Sequence, residues 1–276
     1  MLPYNLTEME VDILVSRPWI DELSPVFLKE VSEDVYREVP LLRQMLRLLA
    51  ILEETGGLKL TSIGNMPAAI VRELYSLGVP EWDVEEYYKT LNSENKTFSV
   101  RLARAVLTHL KLVRQYKGKL VITKAGKAVS GNARELLVKA MNAMGTDFNM
   151  GFFDGMGEMP PLTWGSALMY VSMEKYGDQL RSADFYKEEY KQFLPDDWIV
   201  GDFCPGGYIE YNPLTSCISC RILKRQMEQL GLVEVVPRHF PERPESLYRK
   251  TPLFDKLIGV RISRDDALKA SGKIYS

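Results

Sequence analysis

The sequence predicts a mainly α-helical protein with small β-hairpins. Residues 100–131 carry the clearest pattern, which is a periodic helix, a short two-stranded hairpin and the start of another helix. Two weaker copies of this order lie at residues 41–75 and 216–258, and a further helical stretch occupies residues 163–195. Repeated helix-and-hairpin pieces indicate small compact units rather than one large sheet.

In residues 100–131, apolar side chains recur at the spacing of one helix face. They are four, four and three residues apart, which matches a period of 3.6 residues. This apolar set is Leu102, Val106, Leu110 and Val113. A second stripe at similar spacing is basic or polar and consists of Arg101, Arg104, Thr108 and Lys111. We therefore expect one helix that buries the first stripe and leaves the second stripe accessible.

A hairpin is predicted directly after this helix. Residues 112–116 and 120–122 are typical of short strands, and Lys117-Gly118 supplies the turn, because glycine adopts positive φ without a steric penalty. Thr123 is expected to cap the next helix, since its hydroxyl can accept a hydrogen bond from a free backbone N–H. Lys117 and Lys119 then lie at the tip of the hairpin.

The order of strand, threonine and glycine appears at Val121, Thr123 and Gly126. The helix, the hairpin and this strand-threonine-glycine sequence together resemble the end of a winged-helix domain. The whole chain resembles a tandem winged-helix-like bacterial protein. The resemblance implies two or three winged-helix-like units plus a helical insert near residues 163–195. It also implies that the helix before the hairpin is the recognition helix and the hairpin is the wing. The predicted turn is shorter than in the usual wing.

A domain boundary is expected at residues 145–162, which are rich in glycine, proline and aromatic residues. Such a composition is typical of a connector or an ordered loop. Residues 1–144 would then hold the N-terminal helices and two winged-helix-like units. Residues 163–276 would hold the helical insert and the C-terminal unit. The aromatic stretch from Phe148 to Trp164 is a candidate contact surface.

Composition limits the class and location of the protein. The formal net charge of −2 lacks the basic excess of many nucleic-acid-binding proteins. Three cysteines in 276 residues argue against a disulfide framework and favour a reducing compartment. No apolar run of about 18 residues occurs, so no membrane span is expected. The acidic N-terminus lacks the layout of a signal peptide. We therefore expect a cytoplasmic protein.

Charge is distributed unevenly along the chain. Residues 95–140 carry a net charge of +10 and residues 217–264 a net charge of +5, whereas residues 1–40 and 141–200 each carry −6. The basic segments coincide with the two best helix-and-hairpin patterns. Either the acidic segments neutralise them inside the fold, or a basic face is exposed to a ligand. The sequence leaves both alternatives open.

The basic segments favour a DNA-binding protein of a regulatory or mobile-element-associated kind, with double-stranded DNA as partner. Cations one helical turn apart can reach successive phosphates or base edges in the major groove. The candidates of the central stretch are Arg101, Arg104, Thr108, Lys111, Lys117 and Lys119. Those of the C-terminal unit are Arg221, Lys224, Arg225, Arg238 and Arg243. The alternative is a non-enzymatic scaffold of winged-helix-like units that binds a protein.

The candidate metal ligands are Cys204, Cys217, Cys220 and His239. Cys217-x-x-Cys220 has the spacing of a zinc site. Both cysteines fall in a predicted helix, where a free cysteine is commonly a small core residue, so buried cysteines are the favoured interpretation. The sequence contains no recognised catalytic motif and offers no set of converging reactive groups. We expect neither enzyme activity nor a cofactor.

Overall fold

The computed structural model describes residues 3–153, 162, 165–193, 213–238 and 245–261. These residues form a mainly helical protein with small antiparallel sheets, as the sequence predicts. In this part of the chain no helix is both long and apolar enough to cross a membrane. Cys204, His239 and Arg243 lie outside the described residues, as do residues 154–161 of the expected connector.

The chain forms two compact units. The central unit comprises residues 31–143 and 228–232, and the terminal unit comprises the described residues within 1–30, 144–227 and 233–276. Residues 1–30 belong to the terminal unit because strand β1 (Val26–Leu28) pairs with β8 (Ile258–Val260). The expected domain of residues 1–144 is corrected in this respect. A pairing between such distant strands leaves no trace in the local sequence.

The helices and strands of the central unit follow one another over residues 33–146. Its helices are α2 (Glu33–Tyr36), α3 (Pro40–Glu54), α4 (Ala68–Tyr75), α5 (Trp82–Tyr87), α6 (Phe98–His109), α7 (Lys124–Val129) and α8 (Ala133–Thr146), whose last turn lies in the terminal unit. Its strands are β2 (Leu58–Lys59), β3 (Val113–Tyr116) and β4 (Lys119–Ile122).

The three central strands form one antiparallel sheet in the order β2-β4-β3. Strand β2 follows α3 and pairs with β4, so that Leu58 lies opposite Leu120 and Lys59 lies opposite Lys119. Residues 41–75 and 100–131 therefore build one sheet together. The expectation that each stretch forms its own winged-helix-like unit is corrected, because the first stretch has a single strand whose partner comes 60 residues later.

Helix α3 is the core helix of the central unit. It begins at Pro40, whose fixed φ suits the first helical turn. It ends before Gly56 and Gly57, which have φ values of +65° and +116°. Its apolar side chains are buried on most sides of the helix, which explains the dense leucine pattern. These core residues are Leu41, Leu42, Met45, Leu46, Leu48, Leu49, Ile51 and Leu52.

The predicted hairpin turn and helix cap are both confirmed. Lys117 and Gly118 have φ values of +47° and +74°, and two consecutive residues with positive φ are the mark of the tight hairpin turn. The backbone N–H of Gly126 donates to the Thr123 hydroxyl oxygen over 3.0 Å. This bond satisfies one of the free donors at the start of α7.

The terminal unit contains α1 (Glu8–Ser16), α9 (Ser166–Tyr176), α10 (Ala183–Lys191), α11 (Pro213–Cys217) and α12 (Pro252–Leu257). Helix α11 continues as a π-helix over Ile218–Glu228. Besides β1 and β8, the strands are β5 (Arg181–Ser182), β6 (Val233–Val236) and β7 (Leu247–Lys250), paired in the order β5-β7-β6.

The expected helical insert is an integral part of this terminal unit. Helices α9 and α10 occupy most of residues 163–195, and β5 lies between them. Strand β5 pairs with β7, with Arg181 opposite Tyr248. This pairing corrects the interpretation as an insert. The sequence did not reveal β5, because a two-residue strand is too short to show a recognisable pattern within a helical stretch.

Each unit contains a series of helices and strands in the same order. The central order is α3, β2, α4, α6, β3, β4 and α7, with α5 added between α4 and α6. The terminal order is α9, β5, α10, α11, β6, β7 and α12. In each sheet the early strand pairs with the second strand of the hairpin. Each final helix is capped by a threonine, Thr123 or Thr251.

Candidate nucleic-acid interface

The central sheet has one buried face and one exposed face. Successive strand residues alternate between faces, and directly opposite residues share a face. Val113 and Leu120 are buried on the inner face. Tyr116 is paired with Lys119, which is in turn paired with Lys59, so these three side chains share the outer face. With the turn, the outer surface that we call the hairpin face consists of Lys59, Arg114, Tyr116, Lys117 and Lys119.

The cations of the hairpin face are exposed and held close together. Lys59, Arg114, Lys117 and Lys119 form no ion pair with any residue that the structure describes. The guanidinium carbon of Arg114 lies 5.4 Å from the centroid of the Tyr116 ring, and the Lys117 ammonium lies 5.3 Å from it. Like charges concentrated in this way create a local positive potential that attracts anions.

Further exposed lysines lie beside the hairpin. The Thr123 hydroxyl donates to the carbonyl oxygen of Lys111 over 2.9 Å, which places the start of α7 next to the end of α6. Lys124 and Lys127 on α7 are exposed, as is Lys111. The basic segment of residues 95–140 is therefore only partly neutralised within the described structure.

Helix α6 does not present the predicted basic stripe. Six of its twelve residues are buried, including Val100, Ala103 and Leu107, which form a second buried stripe. Arg104 forms an ion pair with Glu94 and donates to the Gly64 carbonyl oxygen over 3.0 Å. Its side chain is only 18% exposed. Arg104 is therefore corrected from a DNA contact to a group that anchors α6 to the preceding loops.

The other residues of the stripe have separate environments. Arg101 is half-buried. The Thr108 side chain is exposed, but its hydroxyl donates to the Arg104 carbonyl oxygen over 2.8 Å. Lys111 is exposed and lies beyond the end of α6, with a φ of +57°. Because the chain leaves the helix at His109, Lys111 does not continue the helical stripe as expected.

Removing the Arg104 side chain is expected to affect folding rather than a ligand contact. Arg104→Ala would leave the Glu94 carboxylate, whose side chain is 6% exposed, without its cation. We expect a loss of about 2 kcal/mol in the free energy of unfolding, below the usual cost for a fully buried pair because Arg104 is partly solvated. Urea denaturation measures this loss.

The double variant Arg104→Gln/Glu94→Gln is the matched control for this prediction. It keeps two polar side chains of similar size and removes both charges, so it should recover most of the lost stability. A reduced salt dependence of DNA binding in folded Arg104→Ala would contradict the structural role and restore Arg104 as a phosphate contact.

The four basic residues predicted for the C-terminal unit that the structure describes do not form an exposed cluster. Arg221 is 3% exposed and is corrected, since a buried guanidinium cannot reach a phosphate. Lys224 and Arg225 are half-buried and Arg238 is exposed. Arg221 lies in the π-helix, whose hydrogen bonds join residues five apart rather than four, so its buried side chains do not follow the spacing of an α-helix.

The terminal sheet provides an internal comparison for the hairpin face. At the positions of Arg114 and Val121, the terminal sheet has Glu234 and Arg249. The Arg249 guanidinium nitrogen lies 2.7 Å from the Glu234 carboxylate. The row Lys59, Lys119 and Tyr116 is replaced by Ser182, Leu247 and Val236. The same sheet position is thus cationic in the central unit and neutral in the terminal unit.

The candidate metal ligands are not assembled in the described residues. Cys217 is buried and Cys220 is half-buried. Cys204 and His239 lie outside the described part. Within that part, no group of three or more ligand side chains could hold a metal ion.

An exposed aromatic surface lies on α5, which was not expected to be a site. Trp82 is 65% exposed and Tyr87 is 66% exposed, and their rings meet edge-on at 5.1 Å. Tyr88, at the end of the helix, is 40% exposed.

Nearby, burial raises the pKa of Tyr75 to about 12. The Tyr75 phenol therefore remains protonated and donates to Glu85 over 2.8 Å.

The expected contact surface at Phe148–Trp164 is corrected at its described end. Phe148 is 7% exposed and Met150 is 5% exposed, because both are packed within the terminal unit. Trp164 lies outside the described residues. The aromatic residues at the start of this stretch therefore belong to a buried segment and not to an exposed contact surface.

Three residues of the hairpin face were not predicted, namely Lys59, Arg114 and Tyr116. The alternation of the hairpin could have identified two of them. With Leu120 buried, the opposite face must carry Arg114, Tyr116 and Lys119 when Lys117-Gly118 forms a two-residue turn. Lys59 could not be found in this way, because its pairing with Lys119 joins distant parts of the chain.

The comparisons with known proteins bear on the central unit. A family model described as the Y4jL N-terminal domain matches residues 37–135. This range begins just before α3 and ends in the first turn of α8, so it contains the complete central sheet and the hairpin face. Searches of curated proteins and of solved structures found no match. Over this range the chain is similar to the Y4jL N-terminal domain.

Proposed function

We propose that the protein binds duplex DNA through the hairpin face of its central unit. The proposal depends on one observation, which is that Lys59, Arg114, Lys117 and Lys119 are exposed on one surface without ion pairs to described residues. Lysine and arginine neutralise phosphates and release counterions, which supplies most of the non-specific affinity for DNA. A two-stranded β-ribbon also fits the major groove.

We propose that each unit is a winged-helix module. In support, each has a helix, a strand, further helices and a hairpin, with the first strand added beside the last. In the central module α6 has the place of the recognition helix and the β3–β4 hairpin that of the wing. The hairpin is the contact surface we favour, because half of the residues of α6 are buried and its Arg104 is held by Glu94. The setting we propose is cytoplasmic, in regulation or in a mobile element.

Binding to a labelled duplex of random sequence, measured by fluorescence anisotropy, tests this proposal. Each neutralised phosphate contributes a slope of about −0.9 to the plot of log affinity against log salt concentration. Four cations predict a total slope of about −3 to −4. Affinity that does not change with salt, or no binding at about 50 mM salt, would contradict phosphate contacts by this face.

A protein-interaction scaffold is the second candidate function. It is favoured by the exposed rings of Trp82 and Tyr87 on α5, since aromatic side chains are enriched at the centres of protein interfaces. The two functions differ in the salt titration, because a contact centred on aromatic side chains requires no counterion release from DNA. Absence of DNA binding would therefore direct attention to α5.

A further inference from the structure

Tyr116 is the only aromatic residue of the hairpin face. It is 51% exposed, although it lies at the end of β3 opposite Lys119. The Arg114 guanidinium and the Lys117 ammonium lie over the ring, 5.4 Å and 5.3 Å from its centroid, as cation–π contacts. About half of the Tyr116 side chain is nevertheless exposed, and these two long side chains can turn from the ring to hold phosphates when a base stacks on it.

An exposed ring among cations has a specific use in nucleic-acid binding. Bases stack on aromatic side chains whatever their sequence, while nearby lysine and arginine side chains follow the backbone. Bases in the interior of a duplex are stacked on each other on both faces, so they cannot stack on such a ring. An unpaired base can reach it without breaking a base pair.

We infer that the hairpin face stacks an unpaired base on Tyr116, so that its preferred ligand is duplex DNA that carries a single-stranded extension. This inference rests on the proposed DNA binding by the same face. The cations hold the phosphates on either side of the stacked base, and the paired part of the DNA remains intact. Stacking adds affinity to the electrostatic contacts, which do not distinguish paired from unpaired strands.

In the described part of the terminal unit, the paired strand positions carry different residues. Val236 occupies the position of Tyr116, and Leu247 occupies that of Lys119. On the same face of the described strands, Arg249 is held by Glu234 over 2.7 Å. The stacking site is therefore a property of the central unit and not of the shared order of elements.

The test compares three labelled probes with the full-length protein. They are a blunt duplex, the same duplex with a short thymine extension, and the extension alone. We expect the wild-type protein to bind the extended duplex roughly tenfold more tightly than the blunt duplex, which is the gain typical of one stacked base. Tyr116→Ala should abolish this preference, whereas Tyr116→Phe should retain it, because phenylalanine keeps the ring.

Tyr87→Ala is the matched control, because Tyr87 is an exposed tyrosine of the same unit that lies on α5, away from the hairpin face. It should bind all three probes as the wild type does. Equal wild-type affinities for the blunt and extended duplexes, or a preference that survives Tyr116→Ala, would overturn the inference and leave duplex binding intact. If no probe binds at low salt, both the proposed function and this inference fail.

Discussion

Replacing both Lys117 and Lys119 by glutamate is expected to weaken duplex DNA binding on the order of 100-fold at physiological salt. Both side chains are exposed at the hairpin tip and form no ion pair with described residues. The variant removes two phosphate contacts and introduces two charges that repel the DNA backbone. The slope of log affinity against log salt should fall in magnitude by about 2, because each lost contact contributes about 1.

A charge-matched variant separates the hairpin face from the net charge of the protein. Lys89→Glu/Lys139→Glu changes the formal charge by the same amount at exposed positions of the central unit outside the hairpin. It should leave the salt slope unchanged. If both double variants weaken binding equally, the affinity reflects the overall charge, and the hairpin face is not the site.

Equilibrium unfolding of these variants shows whether they remain folded. Substitutions at exposed positions usually change stability by less than about 0.5 kcal/mol. Lys139 forms an i,i+4 pair with Glu135 over 3.5 Å, so its replacement should cost only a few tenths of a kcal/mol. A weak DNA affinity in a fully folded Lys117→Glu/Lys119→Glu variant would therefore be a direct effect on binding.

The local features of the fold could be predicted from the sequence because neighbouring residues determine them. The turn at Lys117-Gly118 depends on two residues with positive φ. The cap at Thr123 depends on a hydroxyl three residues before the Gly126 N–H. Pro40 and Thr251-Pro252 likewise mark helix starts that the structure contains. Each signal acts within a few residues.

The pairing of strands could not be predicted from the sequence. The predicted number of units therefore differs from the number in the structure. Strands β2 and β5 have two residues each, so they carry no alternation of their own. Their partners β4 and β7 lie 60 to 67 residues later in the chain. Two stretches that the sequence suggested as separate units therefore form a single sheet, and a helical stretch becomes part of another.

The candidate site was predicted in part, and the errors have a common cause. Lys117 and Lys119 lie on the exposed hairpin, as expected. Arg104 and Arg221 were selected by spacing alone, which does not show that Glu94 binds Arg104 or that Arg221 is buried within a π-helix. Basic residues in a sequence form a DNA-binding surface only where the fold leaves their charges exposed and without a carboxylate partner.

Replacing Gly126 by alanine is expected to destabilise the central unit by about 3 kcal/mol. Gly126 is buried in α7, where a Cβ would overlap the Leu112 carbonyl oxygen and lie 2.8 Å from Cγ1 of Ile122. That oxygen also accepts a hydrogen bond from the Thr123 N–H over 2.9 Å. Helix α7 must therefore move away from the start of β3, and this movement strains the bond.

The control for this prediction is Gly131→Ala, because a Cβ at Gly131 would contact nothing within 4 Å. It should change the free energy of unfolding by less than about 0.5 kcal/mol. Equal urea midpoints for Gly126→Ala and Gly131→Ala would mean that α7 can shift freely. The close contact between α7 and Leu112 would then contribute nothing to the position of the hairpin.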